Sequence, residues 1–78
     1  MKTEYKYLVF EVYDTTGKTY KYKVWNKNNV LGVVKWFAPF RKYCFYPHFQ
    51  TVFDASCLAD IQDFLNQLMQ ERKGEKEG

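Results

Sequence analysis

At 78 residues and 9.4 kDa the chain is one domain, and a chain this short buries only about 60% of the surface its unfolded form exposes, which excludes a second core. Hydrophobic residues make up 46% and aromatic residues 21%, more bulky apolar material than one small core ordinarily holds, so a functional patch or an interface is expected beside the core. The net charge of +3 is unevenly spread: residues 2–48 carry nine basic residues against three acidic ones (+6) and residues 49–78 carry three against six (−3), so an anionic partner is drawn to the first half.

Tyr5 to Tyr13 alternates, with Leu8, Phe10 and Val12 on one face and Tyr7, Val9, Glu11 and Tyr13 on the other, the pattern of a strand. Asp14-Thr15-Thr16-Gly17 supplies a turn starter and a glycine for a positive φ, so a short hairpin is expected. The return strand, Thr19 to Trp25, sets Tyr20, Tyr22 and Val24 against Lys21, Lys23 and Trp25. Asn26-Lys27-Asn28-Asn29 is the next break, its asparagines suited to left-handed backbone.

The densest stretch follows. Gly32 to Pro47, GVVKWFAPFRKYCFYP, holds six aromatic and three basic residues in sixteen positions. Val30 to Phe37 and Tyr43 to Tyr46 read as strands around a turn at Ala38-Pro39, which brings rings and cations side by side on neighbouring strands. Lys35 prefers water, so Val34 and Trp36 are expected inward, and Val33, Lys35 and Phe37, joined by Leu31, outward; that outer face is unusually apolar for one meeting solvent. Pro47 offers no N–H and ends regular pairing.

Beyond it, Thr51-Val52-Phe53 has the composition of a short strand and Asp54 that of an N-cap. Cys57, Leu58, Ile61, Phe64, Leu65 and Leu68 recur at three- and four-residue spacing, one apolar stripe of a helix, with Asp60, Gln62, Asp63, Asn66 and Gln67 opposite. Arg72 and Lys73 suit the negative end of its dipole. Residues 1–73 are therefore expected to form a single α+β domain, an antiparallel sheet of about four strands with one amphipathic helix on one face (ββββα), and residues 74–78 a disordered tail. No apolar run approaches the roughly 18 residues of a membrane span and no signal segment opens the chain, so a soluble, intracellular protein with reduced Cys44 and Cys57 is expected.

Stacking rings beside cations suit single-stranded nucleic acid or a nucleotide-like ligand: aromatic faces hold bases and cations neutralise phosphates. The candidate ligand-binding set is Lys21, Lys23, Trp25, Lys35, Phe37, Phe40, Arg41, Lys42, Tyr43 and Phe45. The competing reading makes the same rings core, or the interface of a homodimer, and the lysines simple solvation of the sheet. Cys44, His48, Asp54 and Cys57 are zinc-ligand types, but C-x3-H and D-x-x-C are not a metal signature. One histidine and no Gly-rich phosphate loop point away from catalysis, so a non-enzyme without cofactor is expected. The helix's polar face, with Asp60, Asp63, Asn66, Gln67, Gln70 and Glu71, is a further candidate surface for a host protein.

From Leu31 to Leu68 the chain resembles a group of small, uncharacterised proteins encoded by bacteriophages and prophages. The resemblance rests on Gly32, Lys35-Trp36-Phe37, Arg41, Tyr43-Cys44-Phe45-Tyr46-Pro47, Thr51-Val52-Phe53-Asp54, Cys57-Leu58, Asp60-Ile61, Phe64 and Leu68. It implies an accessory phage protein, in the cytoplasm of a bacterial host, and carries no activity with it. Joined to the ring-and-cation chemistry, the expectation is a protein that holds a nucleic acid or nucleotide in host takeover or counter-defence; the alternative is inhibition of a host or defence protein through the same rings. Gly32-Val33-Val34-Lys35-Trp36-Phe37 is also locally similar to the G-x-V-K-W-F strand of cold-shock domains. Arg41-Lys42-Tyr43-Cys44-Phe45 stands where those have K-G-[FY]-G-F, with Lys42 and Cys44 in place of both glycines. Too little chain follows to complete that family's barrel.

Overall fold

The computed structural model describes residues 1–77, with the side chains of Thr16 and of residues 74–77 outside that description. Four strands, β1 (Val9–Thr16), β2 (Thr19–Asn26), β3 (Asn29–Phe37) and β4 (Lys42–Pro47), form one antiparallel sheet in the order β1-β2-β3-β4, and a single helix, α1 (Ala55–Glu77), follows. This is the ββββα arrangement expected. The backbone of α1 continues past Gly74, and the expected disordered tail over 74–78 falls on side chains, and in Gly78 on backbone, that lie outside the described residues. No described helix is long and apolar enough to cross a membrane.

Alternation in the strands decides what α1 covers. Phe10 on β1, Tyr22 and Val24 on β2, Val34 on β3 and Tyr43 on β4 point to one side, where Ile61, Phe64 and Leu68 of the helix meet them with Leu8 to form the core. Phe64 stacks on Phe10 with ring centroids 4.0 Å apart and stands edge-on to Tyr22 at 4.9 Å. Gly32 lies in the same layer, where a Cβ would strike the Tyr46 backbone oxygen and approach Pro47 Cα to 2.9 Å, so β3 and β4 approach closely only because that position has no side chain.

The turns depart from expectation in instructive ways. Gly17 takes φ +59° in the two-residue β1–β2 turn, as its type suggests. In the β2–β3 turn Lys27, not an asparagine, takes the left-handed position, while Asn26 spends its amide on the Tyr7 carbonyl at 2.9 Å. The first strand begins at Val9 and not at Tyr5, because the chain doubles back before it: Tyr5 N–H donates to Leu8 O and Phe10 N–H to Thr3 O. That fold-back buries Leu8 and leaves Val12 exposed beside the bulge between Val12 and Asp14. A second bulge makes Leu31 the extra residue of β3, and it packs against the core instead of joining the outer face. Thr51-Val52-Phe53 forms no strand; Thr51 Oγ1 bonds the His48 carbonyl at 2.8 Å and Gln50 sits at φ +62°, which turns the segment into a loop.

Asp54 caps α1, its Oδ1 accepting the Cys57 N–H at 2.9 Å. That bond above all holds the Asp54 carboxyl below its usual range. On the helix stripe Leu58 turns out half-exposed, while its neighbour Cys57 packs against the core. The polar face is partly taken by the chain's own N-terminus: Gln67 exchanges hydrogen bonds with the Lys2 backbone at 2.8 and 3.0 Å, and Tyr5 Oη donates to Asp63 at 2.6 Å. Burial and that carboxylate push the Tyr5 phenol well above its ordinary value.

Candidate functional site

The face of the sheet turned away from α1 is set by register. Glu11, Lys23, Val33 and Tyr46 form a row of direct cross-strand neighbours; Val9 opposes Trp25, Asp14 opposes Lys21, Lys35 opposes Cys44 and Phe37 opposes Lys42. Partners directly opposite share a face, so all of these side chains project on the helix-free side. The rings there make a connected group. Phe37 stands edge-on to Phe40 at 4.7 Å and to Tyr46 at 6.3 Å. Lys35 Nζ lies 4.5 Å from the Tyr46 ring centroid, and Lys23 Nζ lies 5.5 Å from that of Tyr13.

Charge across this face is graded. At the β1 margin Glu11 accepts the Trp25 Nε1–H at 3.0 Å and Asp14 lies 3.7 Å from Lys21, so both carboxylates are engaged with β2. Toward β3 and β4 the face carries Lys35 and Lys42, and no carboxylate opposes either across the strands. The electropositive, ring-bearing part is therefore the β3–β4 half.

The ten residues of the expected set divide. Lys21, Lys23, Trp25, Lys35, Phe37 and Lys42 share the helix-free face, with Phe40, 65% exposed, at its rim. Tyr43 and Phe45 do not: Tyr43 is 6% exposed, edge-on to Trp36 at 5.4 Å with its hydroxyl accepting the Tyr20 N–H, and Phe45 lies edge-on to Phe53 at 5.2 Å against the core. The reason is the connection between β3 and β4. A 3-10 turn over Ala38–Phe40 and a left-handed Arg41 place Lys42 opposite Phe37, which puts positions 42, 44 and 46 outward and 43 and 45 inward. Arg41 leaves the face altogether, projecting toward the C-terminal end of α1. Tyr46 is the residue missed; once Phe37 and Lys42 are opposed, simple alternation selects it.

The titratable cysteines and histidine form no second site. Cys44 is on the helix-free face and Cys57 in the first turn of α1, both free, and among the described residues no three His, Cys, Asp or Glu side chains converge. Burial, then the hydrogen bond with Asp54, pushes the Cys57 thiol up, so it keeps its proton at neutral pH, the opposite of what a nucleophile needs.

Over 71 residues the chain is 41% identical to an uncharacterised 9.3 kDa protein of Acholeplasma phage L2, an alignment covering 87% of this chain and 91% of that protein. No family model matches the chain, and no solved structure matches it.

Proposed function

The chain belongs to the family of that small phage protein, and on this premise we propose that it is a non-enzymatic phage accessory protein whose helix-free sheet face holds single-stranded nucleic acid or a nucleotide-like ligand. It acts in this reading in the cytoplasm of the bacterial host, in takeover or counter-defence. The observation that carries it is the β3–β4 half of the outer face, where the rings of Phe37, Phe40 and Tyr46 are interleaved with Lys35 and Lys42. Phosphates need cations and bases need ring faces; a four-stranded sheet open on one side offers both on a rigid frame. Each base stacked on such a ring contributes about 1–3 kcal/mol.

Titrating the protein with labelled single-stranded DNA, single-stranded RNA and cyclic dinucleotides at two salt concentrations tests this. Binding at low salt that weakens steeply as salt rises is the expected result, since phosphate contacts release counterions. Flat titrations at low salt would remove the proposal.

A second reading, docking on a host or defence protein, is favoured by a different surface. Phe49 and Val52 are 91% and 89% exposed in the loop before α1, apolar side chains of the kind that anchor protein contacts. Phe49→Ser with Val52→Ser abolishes such a contact and spares nucleic-acid binding, which separates the two readings. Sizing the purified protein reports whether the helix-free face instead closes on a second copy.

A further inference from the structure

A groove of about 910 Å³ opens where the β1–β2 turn, the β3–β4 turn and the end of α1 come together, outside the sheet face described above. Its floor is apolar, Trp36 and Met69. Around it stand Lys18 from the first turn, Arg41 from the second, and Arg72 and Lys73 from the helix. The volume falls in the roughly 300–1,000 Å³ range of small-molecule sites. No carboxylate is among the described residues that line it.

One of these cations is held against the floor and another stands on an unusual backbone. The Arg72 guanidinium lies 4.0 Å from the Trp36 ring centroid, a cation–π contact that seats it at the groove. Arg41 occupies φ +53°, a left-handed position that favours glycine, so the chain accepts backbone strain where a glycine would relieve it and gains a cation at the groove mouth. Dipole complementation accounts for Arg72 and Lys73 at a helix C-terminus. It does not account for Lys18 and Arg41, which reach the same space from two unrelated turns.

We propose that this groove is an anion site for phosphate esters, in which Arg41, Arg72, Lys18 and Lys73 hold the phosphate groups over the Trp36 floor. Forked guanidinium donors match phosphate oxygens in pairs, and the two lysines add charge without directional demand. A free nucleoside polyphosphate and the phosphorylated end of a nucleic-acid strand present the same chemistry. The site stands independently of the sheet face: Lys35 and Tyr46 belong to one and Arg41 and Arg72 to the other.

The experiment is calorimetric titration of the full chain with pyrophosphate, ADP, and a short oligonucleotide with and without a 5′-phosphate, repeated for Arg41→Gly, Arg72→Gln and, as a control outside both surfaces, Lys6→Gln, an exposed lysine beside Tyr7. Pyrophosphate or ADP is expected to bind the wild type, and each arginine variant to weaken it about tenfold or more, with Lys6→Gln unchanged. Arg41→Gly is expected to keep or raise the melting temperature, because the glycine relieves the left-handed backbone; weaker binding by a protein no less stable cannot be blamed on misfolding. Preference for the 5′-phosphorylated strand with no binding of ADP assigns the same groove to strand ends. No response to any phosphate ligand at low salt, or losses as large in Lys6→Gln as in Arg41→Gly, would overturn the assignment.

Discussion

Tyr43 and Tyr46 stand three residues apart on β4 and meet opposite conditions. The first is buried, its hydroxyl satisfied by the Tyr20 N–H and its ring edge-on to Trp36; the second lies on the helix-free face with a lysine over its ring. The same division runs through β3, where Val34 and Trp36 face α1 while Lys35 and Phe37 do not. Both faces of the sheet are ring-rich, and what separates core from open face is the helix that covers one of them. The chain's aromatic surplus is thus shared between two faces by strand parity.

This contrast breaks most visibly in the middle of the covered face. Phe64 is fully buried and stacks on Phe10, so Phe64→Ala is expected to cost about 3–5 kcal/mol. Against a total stability of roughly 5–15 kcal/mol for native proteins, denaturant melts of that variant should show a midpoint shifted far toward zero denaturant. Tyr43→Ala comes next, at about 3 kcal/mol, since it removes a buried ring and leaves the Tyr20 N–H without its acceptor. Tyr22 adds a pH dependence of the same origin. Its phenol is pushed up to about 12, first by burial and then by Tyr43 and Glu71. Because the folded value is raised above the ordinary 10, the contribution is complete below pH 10 and fades as the pH climbs toward 12. Alkaline melts should therefore diverge, the wild type losing stability between about pH 10 and pH 12 while Tyr22→Phe, with no phenol to ionise there, does not, measured by circular dichroism.

Tyr46→Ala sharpens the comparison from the other side. The fold should lose less than about 1 kcal/mol, the scale of a cross-strand pair, while single-strand affinity should fall by about 1–3 kcal/mol if the ring stacks a base. Equal stability losses in Tyr43→Ala and Tyr46→Ala would show that the two faces are not distinct.

The sheet order and the helix were legible because their signals are local: alternation over eight residues, Gly17 at a turn, Asp54 three residues before the N–H it caps. The site was legible only in part. Lys35 and Phe37 follow from a charge that must meet water, but the parity of β4 depends on how many residues the connection consumes, and Arg41 in a left-handed conformation is not a choice residue type announces. One residue of error there exchanges Tyr43 and Phe45 for Cys44 and Tyr46. The basic groove was hidden for a related reason. Its cations come from three elements separated by more than fifty positions, and counted along the chain Arg72 and Lys73 sit in the acidic half.

The smallest expected effect concerns how firmly the cover is seated. Asp54 satisfies the first turn of α1, and its carboxyl is held below the usual range chiefly by the Cys57 N–H. A depressed folded value means the carboxylate stabilises the helix above its ordinary range and loses that contribution as the pH falls through the folded value. The gap in melting temperature between the wild type and Asp54→Ala should therefore be present near about pH 7 and close toward about pH 2. Exchange protection should drop at the Cys57 and Leu58 amides, which Asp54 accepts through its side chain and its carbonyl, and stay unchanged in β3. A gap that persists in acid would mean that the cap acts without its charge; protection lost across β3 as well would mean that the cover and the sheet unfold as one unit, and that the division between the faces has no local weak point at the helix start.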